Sequence, residues 1–137
     1  MREIEGWLQI DGQFWDVVVV SIKESGNILY SDNTGRTSSV GARMTLDPLG
    51  TFIGHTIVVK RRGDNVKAYD QLCEYIRKPR YNGVKVKAVD GQTTIEYDAY
   101  LSSYERAVDR IDNEKKVVRW KEMSINLIPM EAQILPL

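Results

Sequence analysis

Between residues 64 and 79 the apolar side chains Val66, Tyr69, Leu72, Cys73 and Ile76 recur at steps of three, three, one and three. That spacing draws one stripe down a single helix face and turns Lys67, Asp70, Gln71, Glu74, Arg77 and Lys78 away from it. Asp64 or Asn65 caps the start, Arg77 and Lys78 suit the negative end of the helix dipole, and Pro79 stops the helix. The pattern predicts one amphipathic helix over about residues 65–78, the only long one, laid on a sheet.

Elsewhere the apolar period is two. Residues 5–10 and 14–22 read as strands on either side of Asp11-Gly12, a pair that suits a tight hairpin turn. Val17, Val18, Val19 and Val20 run without a polar break, which predicts a strand covered on both faces. A break at Ser25-Gly26 precedes a short strand over 27–31. The pattern then disappears over 31–42, a polar loop long enough to expect a function or mobility. Short strand character returns at 44–46, a turn falls at 47–50, and 55–60 is a strand feeding the helix. Val84, Val86 and Ala88 alternate with Lys85 and Lys87, then Asp90-Gly91 turns into a strand carrying Thr93, Ile95, Tyr97, Ala99 and Leu101 on one face. Residues 105–114 are nearly all charged and read as an exposed hairpin tip or a helical turn. A last strand runs from 117 to 128, and its apolar phase shifts between Trp120 and Met123, which predicts a bulge. The sum is a mainly β fold, a β-sandwich or barrel of about eight strands with one helix packed on it, in one domain over 1–137.

The 137 residues suffice for a real core, and the 42% hydrophobic and 28% charged contents are ordinary for a globular domain. Nineteen basic and nineteen acidic side chains cancel, which weighs against a nucleic-acid binder. The distribution is uneven: residues 1–59 carry −3 (four basic, seven acidic), 60–80 carry +4 (seven, three) and 81–137 carry −1 (eight, nine). Separated patches of opposite sign let copies of a neutral molecule attract one another; a solvated rim around the helix ends explains the basic patch equally simply. The single cysteine, Cys73, lies on the apolar stripe and reads as a buried, inert thiol. The charged start at residues 1–5 is no signal peptide, and 17–20 is too short to cross a bilayer, so the expectation is a chain made in the cytoplasm and not exported by its own sequence.

The catalytic inventory is thin. His55 is the sole histidine, without a His or Cys partner at metal-ligand spacing. Neither a Gly-x-Ser-x-Gly elbow nor a glycine-rich phosphate loop occurs. Glu96 and Asp98 share a strand face, where exposed acids are usually just solvated. No catalytic residue, metal site or cofactor is expected. Lys85 and Lys87 beside Tyr97 or Tyr100 allow an alternative, a nucleic-acid-binding β-barrel of the OB kind.

The order of these pieces resembles a tail protein of a long-tailed bacteriophage or prophage, in the tail-tube and distal-tail fold group. The resemblance covers residues 5–130 and is carried by Gly35-Arg36-Thr37 in a polar loop, then Gly41-x-x-Met44-x-x-Asp47-Pro48-Leu49-Gly50-Thr51. Tyr69-x-x-Leu72 and Pro79 follow, then Val84-x-Val86, Ala99-Tyr100-Leu101-Ser102-Ser103, and Trp120-x-x-Met123-Ser124-Ile125-Asn126-Leu127-Ile128-Pro129. It implies a non-catalytic virion protein with a tail-tube-like fold, six copies of which close a ring around a channel. Strands of adjacent subunits would join into one barrel, and a long loop would reach a neighbour. By that analogy Gly35, Arg36, Thr37, Ser38, Ser39, Val40, Gly41 and Ala42 form the oligomer-contact loop. Arg106, Arg110, Asp112, Lys115 and Lys116, in or beside the charged tip, form a second contact surface. The partners implied are copies of itself and other tail proteins, with no membrane, and nucleic acid only in passage through a channel. Sheet edges must be covered or charged; the unguarded strand 14–20 is either such an edge, paired between subunits, or central in its own sheet.

Overall fold

The structure, a computed structural model, describes residues 8–137. Its strands are β1 (Gln9–Ile10), β2 (Val17–Tyr30), β3 (Gly35–Arg36), β4 (Met44–Thr45), β5 (Pro48–Arg61), β6 (Val84–Asp90), β7 (Thr93–Asp112) and β8 (Val117–Pro129). The helix α1 (Val66–Ile76) lies between β5 and β6. The chain is thus mainly β, with eight strands and one helix among the described residues. Six strands form one antiparallel sheet in the order β1-β6-β7-β8-β5-β2, and β3 pairs with β4 alone.

The sheet cannot be flat. β1 and β2 are its two outer strands, yet only residues 11–16 join them. The turn at 11–12, with Asp11 and Gly12 both at positive φ, folds Gln13 back against Ile10. Four steps then remain to reach Val17, about 14 Å of chain at full stretch. Six flat strands would place the outer pair about 24 Å apart. The sheet therefore curls, and its two margins meet: Leu8 and Ile10 share one buried cluster with Val17 and Val19.

His55 ties the curled halves together from inside. It is 2% exposed and points from β5 across the core. Its Nδ1 lies 2.6 Å from the Tyr97 hydroxyl on β7, and its Nε2 lies 3.2 Å from Val89 O on β6. A carbonyl only accepts, so Nε2 carries the proton and Nδ1 accepts from Tyr97. Burial pushes the Tyr97 phenol well above its ordinary pKa, which keeps that donor protonated.

The predicted stripe closes the core. Tyr69, Leu72, Cys73 and Ile76 are buried, and the helix packs against β5 and β8 over Ile57, Val59, Met123 and Ile125. Asn65 is the cap, its side chain accepting from Ala68 N at 3.2 Å. Tyr69 donates to Lys121 O at 2.8 Å, and burial raises its phenol to about 12. Burial likewise holds Cys73 as a thiol.

Several boundaries differ from the sequence pattern. The strands expected at 5–10 and 14–22 do not pair with each other, although the turn between them exists. β1 pairs with β6 through Gln9↔Lys87 and Ile10↔Val86, and β2 pairs with β5; residues 5–7 lie outside the described residues. β2 runs unbroken through Ser25-Gly26, and β5 starts at Pro48, where a turn was expected. The valine run is not covered on both faces: Val17 and Val19 are buried, whereas Val20 is exposed at a register shift against β5. The bulge expected between Trp120 and Met123 is present, since two steps in β7 match three in β8 between Arg106↔Met123 and Val108↔Trp120.

Tyr97→Phe preserves the shape of the core and leaves His55 Nδ1 without its donor. We expect urea unfolding to show a loss of about 1–3 kcal/mol; an unchanged midpoint would mean that the His55 bridge does not hold the halves together.

Candidate functional site

The strands outlast the core at both ends of the sheet. Within it, β5 meets β8 only from His55↔Leu127 to Val59↔Met123. The β2–β5 ladder continues beyond His55 to Tyr30↔Pro48, and the β7–β8 ladder continues the opposite way to Asp112↔Val117. Two hairpin arms therefore leave the body in opposite directions.

The first arm joins residues 24–30 of β2 to 48–54 of β5 and carries the expected contact loop at its tip. Gly35 and Arg36 form β3 and pair with Thr45 and Met44. Thr37 N donates to Arg43 O at 2.9 Å and Ala42 N to Ser39 O at 2.8 Å, with Gly41 and Ala42 at positive φ. Thr37 Oγ1 and Ser39 Oγ lie 2.7 Å apart, and Arg36 Nη1 reaches Ala42 O at 3.4 Å. Ser38 and Val40 stand exposed. The base is clasped by Ser31 Oγ donating to Asp47 Oδ2, Ser31 N to Asp47 O at 2.9 Å, and Asp47 N to Thr34 Oγ1 at 2.9 Å. The segment expected to be a plain loop is a small folded cap. It does not fold back onto His55.

Sequence reasoning missed the arm itself. Ile28, Leu29, Tyr30, Met44, Leu46 and Leu49 are all exposed there, Ile28 at 62% and Leu49 at 50%. Its one available signal was the run Ile28-Leu29-Tyr30, apolar at consecutive positions and so unable to hide on one strand face. Along the inner margin the tail stands in for the missing β8. Thr51 N donates to Ile134 O at 2.8 Å, and Gln133 uses its side-chain amide like a backbone, accepting from Ile53 N at 2.9 Å and donating to Ile53 O at 2.7 Å. Gly50, at φ +141°, permits that approach; a Cβ there would sit 2.7 Å from Ala132 Cβ.

The second arm holds Arg106, Arg110, Asp112, Lys115 and Lys116, the second expected contact set. Arg110, Lys115 and Lys116 are exposed around the turn. Asp112 is occupied with the turn, accepting from Glu114 N and Lys115 N at 3.1 Å each. Arg106 must be removed from the contact surface. Its guanidinium lies 3.9 Å from the Trp120 ring centroid and donates to Asp70 Oδ1 at 3.1 Å, which binds the arm's root to the helix. Arg119 roots the same arm to the helix start, with Nε and Nη2 donating to Asp64 Oδ1 and Oδ2 at 2.8 and 3.1 Å. This fork, with help from Arg61, holds the Asp64 carboxyl below its ordinary pKa.

β2 ends the sheet, so the reading of that strand as an edge holds: among the described residues its far side pairs with nothing. Lys23, Glu24 and the register shift after Val19 guard it. The expected chemistry-bearing groups do not converge. His55 faces the core while Glu96 and Asp98 face solvent on β7. Tyr97 is buried and Tyr100 is exposed, while Lys85 and Lys87 stand opposite Asp98 and Glu96 across the ladder, so the two basic side chains are each matched by an acid. Among the described residues no group of three His, Cys, Asp or Glu is placed to hold a metal, and no helix is long and apolar enough to cross a membrane.

No family model, curated protein or solved structure matches this chain.

Because the Asp64 pKa is lowered by folding, its contribution is complete above the unfolded value of about 3.9 and fades as pH falls through the lower folded value. Asp64→Asn should therefore unfold at lower urea than the parent at pH 7. The gap should close as the pH is taken from about 4 downward. A gap independent of pH in urea titrations would contradict the pairing.

Proposed function

We propose that this chain is a non-catalytic structural protein of a long-tailed phage tail, of the tail-tube and distal-tail group. Its copies assemble into a sixfold ring, or a stack of rings, around a channel. The observation that carries the reading is the first arm: six sizeable apolar side chains exposed on a rigidly clasped projection that the tail supports only along its inner margin. Apolar surface of that kind marks an interface. The uncovered edge of β2 supports it, since ring closure pairs such edges between subunits. The charged, anchored second arm supplies a different surface at the opposite end, as head-to-tail stacking requires. The protein works in the virion, bound to its own copies and to neighbouring tail proteins.

Sedimentation velocity and negative-stain imaging over rising concentration should show rings or tubes. Ile28→Asp, at an exposed position, should abolish them without moving the thermal midpoint. A protein that stays monomeric at high concentration, or an Ile28→Asp variant that assembles like the parent, would overturn the reading.

A further inference from the structure

On the outer face of the sheet, β2, β5, β8 and β7 lie side by side around a trough of about 500 Å³. Gly54 makes its floor. Ser25 faces Gly54 across one ladder, and Tyr100 faces Ile128 across another. The β5 position in that row has no side chain, which opens a gap spanning about two strand spacings, roughly 10 Å. The floor cannot be filled cheaply, because a Cβ at Gly54 would stand 2.9 Å from Leu127 O.

The lining has a distinct chemistry. It contains no Lys, Arg, Asp or Glu, and its only ionisable ring, His55, is turned inward onto Tyr97 and Val89. A phosphate, a nucleic acid or a metal ion finds no counter-charge there. The polar groups are hydroxyls and amides. Thr56 Oγ1 donates to Asn126 Oδ1 at 2.9 Å and Asn126 Nδ2 to Ser103 Oγ at 2.7 Å, which fixes the Asn126 amide while leaving one N–H and one lone pair. Ser25, Asn27 and Ser102 line the same trough and spend no side-chain hydrogen bond on the described chain. Phe52 lies two residues along β5 from the floor, and Tyr100 closes the far wall on β7 beyond Ile128. A purely aliphatic ligand would leave these hydroxyls and amides unpaired, at a cost. A sugar ring satisfies both halves, its C–H face on an aromatic and its hydroxyl rim on amides and hydroxyls.

We propose that this trough is a binding site for an uncharged saccharide, with Tyr100 as the stacking face and Asn27 and Asn126 as the hydroxyl readers. The site goes beyond the assembly reading; Asn27, Leu29 and Phe52 of its wall belong to the first arm, so it is tested on the unassembled chain.

The test is ¹⁵N NMR on the Ile28→Asp chain, followed at the side-chain amides of Asn27 and Asn126. The probes are maltotriose, cellotriose and chitotriose. At least one should give saturable shifts confined to the trough. Tyr100→Ala should weaken it about tenfold with the thermal midpoint unchanged, and Ser25→Trp, which fills the trough from an exposed position, should remove it. Silence with all three sugars to about 50 mM, well above the millimolar range of shallow sites, would overturn the proposal. So would shifts that survive both substitutions, or equal occupancy by dextran sulfate. None of these outcomes bears on assembly, which is read by sedimentation of the parent chain.

Discussion

Residues 11–16 must carry the chain from one margin of a six-stranded sheet to the other. A tight turn consumes half of that short span, so the margins have to meet, and the sheet has to wrap. Once it wraps, alternate residues of β2, β5, β6, β7 and β8 face one interior, and α1 closes it with Tyr69, Leu72, Cys73 and Ile76. His55 can then reach from β5 to β6 and β7. In a flat sheet β6 and β7 would stand about 14 and 10 Å from β5. Wrapping also explains why β2 and β5 continue as a separate ribbon: beyond His55 no third strand remains beside them except the irregular tail at Gln133 and Ile134.

The two arms differ in how they are held and in what they show. The first is clasped near its tip by Ser31, Thr34 and Asp47, and supported along β5 by the tail. It shows apolar side chains. The second is held at its root by Arg106 on Trp120 and Asp70 and by Arg119 on Asp64, and it shows charge. In both cases internal bonds fix the backbone that presents the exposed residues. A surface ordered beforehand loses less entropy on contact, which favours association. The folded cap at 35–45 is therefore better suited to docking than a slack loop of the same composition.

What was legible in the sequence was whatever obeys a local period. The α1 stripe, the β6–β7 hairpin around Asp90-Gly91 and the β8 bulge all announce themselves by side-chain spacing. Pairing between distant segments does not. Asp11-Gly12 suits a hairpin turn and forms one, but the strands on either side of it are claimed by β6 and β5, so the local expectation loses to the wrap. Residues 24–30 are exposed throughout and 48–54 bury only Gly50 and Ile53, so neither stretch carries the regular alternation that would have shown the full length of the two strands. His55 gave no sign of its role, since one histidine at a strand position looks the same whether it bridges a core or faces water. Of the expected contact residues, 35–42 do stand at a projecting tip, and Arg110, Lys115 and Lys116 at another. Arg106 looked like one more surface cation, and only the fold brings Trp120 and Asp70 to it.

The central claim is that β2 is an edge left open for another copy of the chain. Amide hydrogen exchange in dilute and concentrated protein reads that directly, residue by residue. The amides of Val17–Tyr30 that point away from β5 should exchange fast when dilute and gain protection with concentration, together with the first arm. Equal exchange at both concentrations, or β2 amides already protected in the dilute monomer, would contradict it.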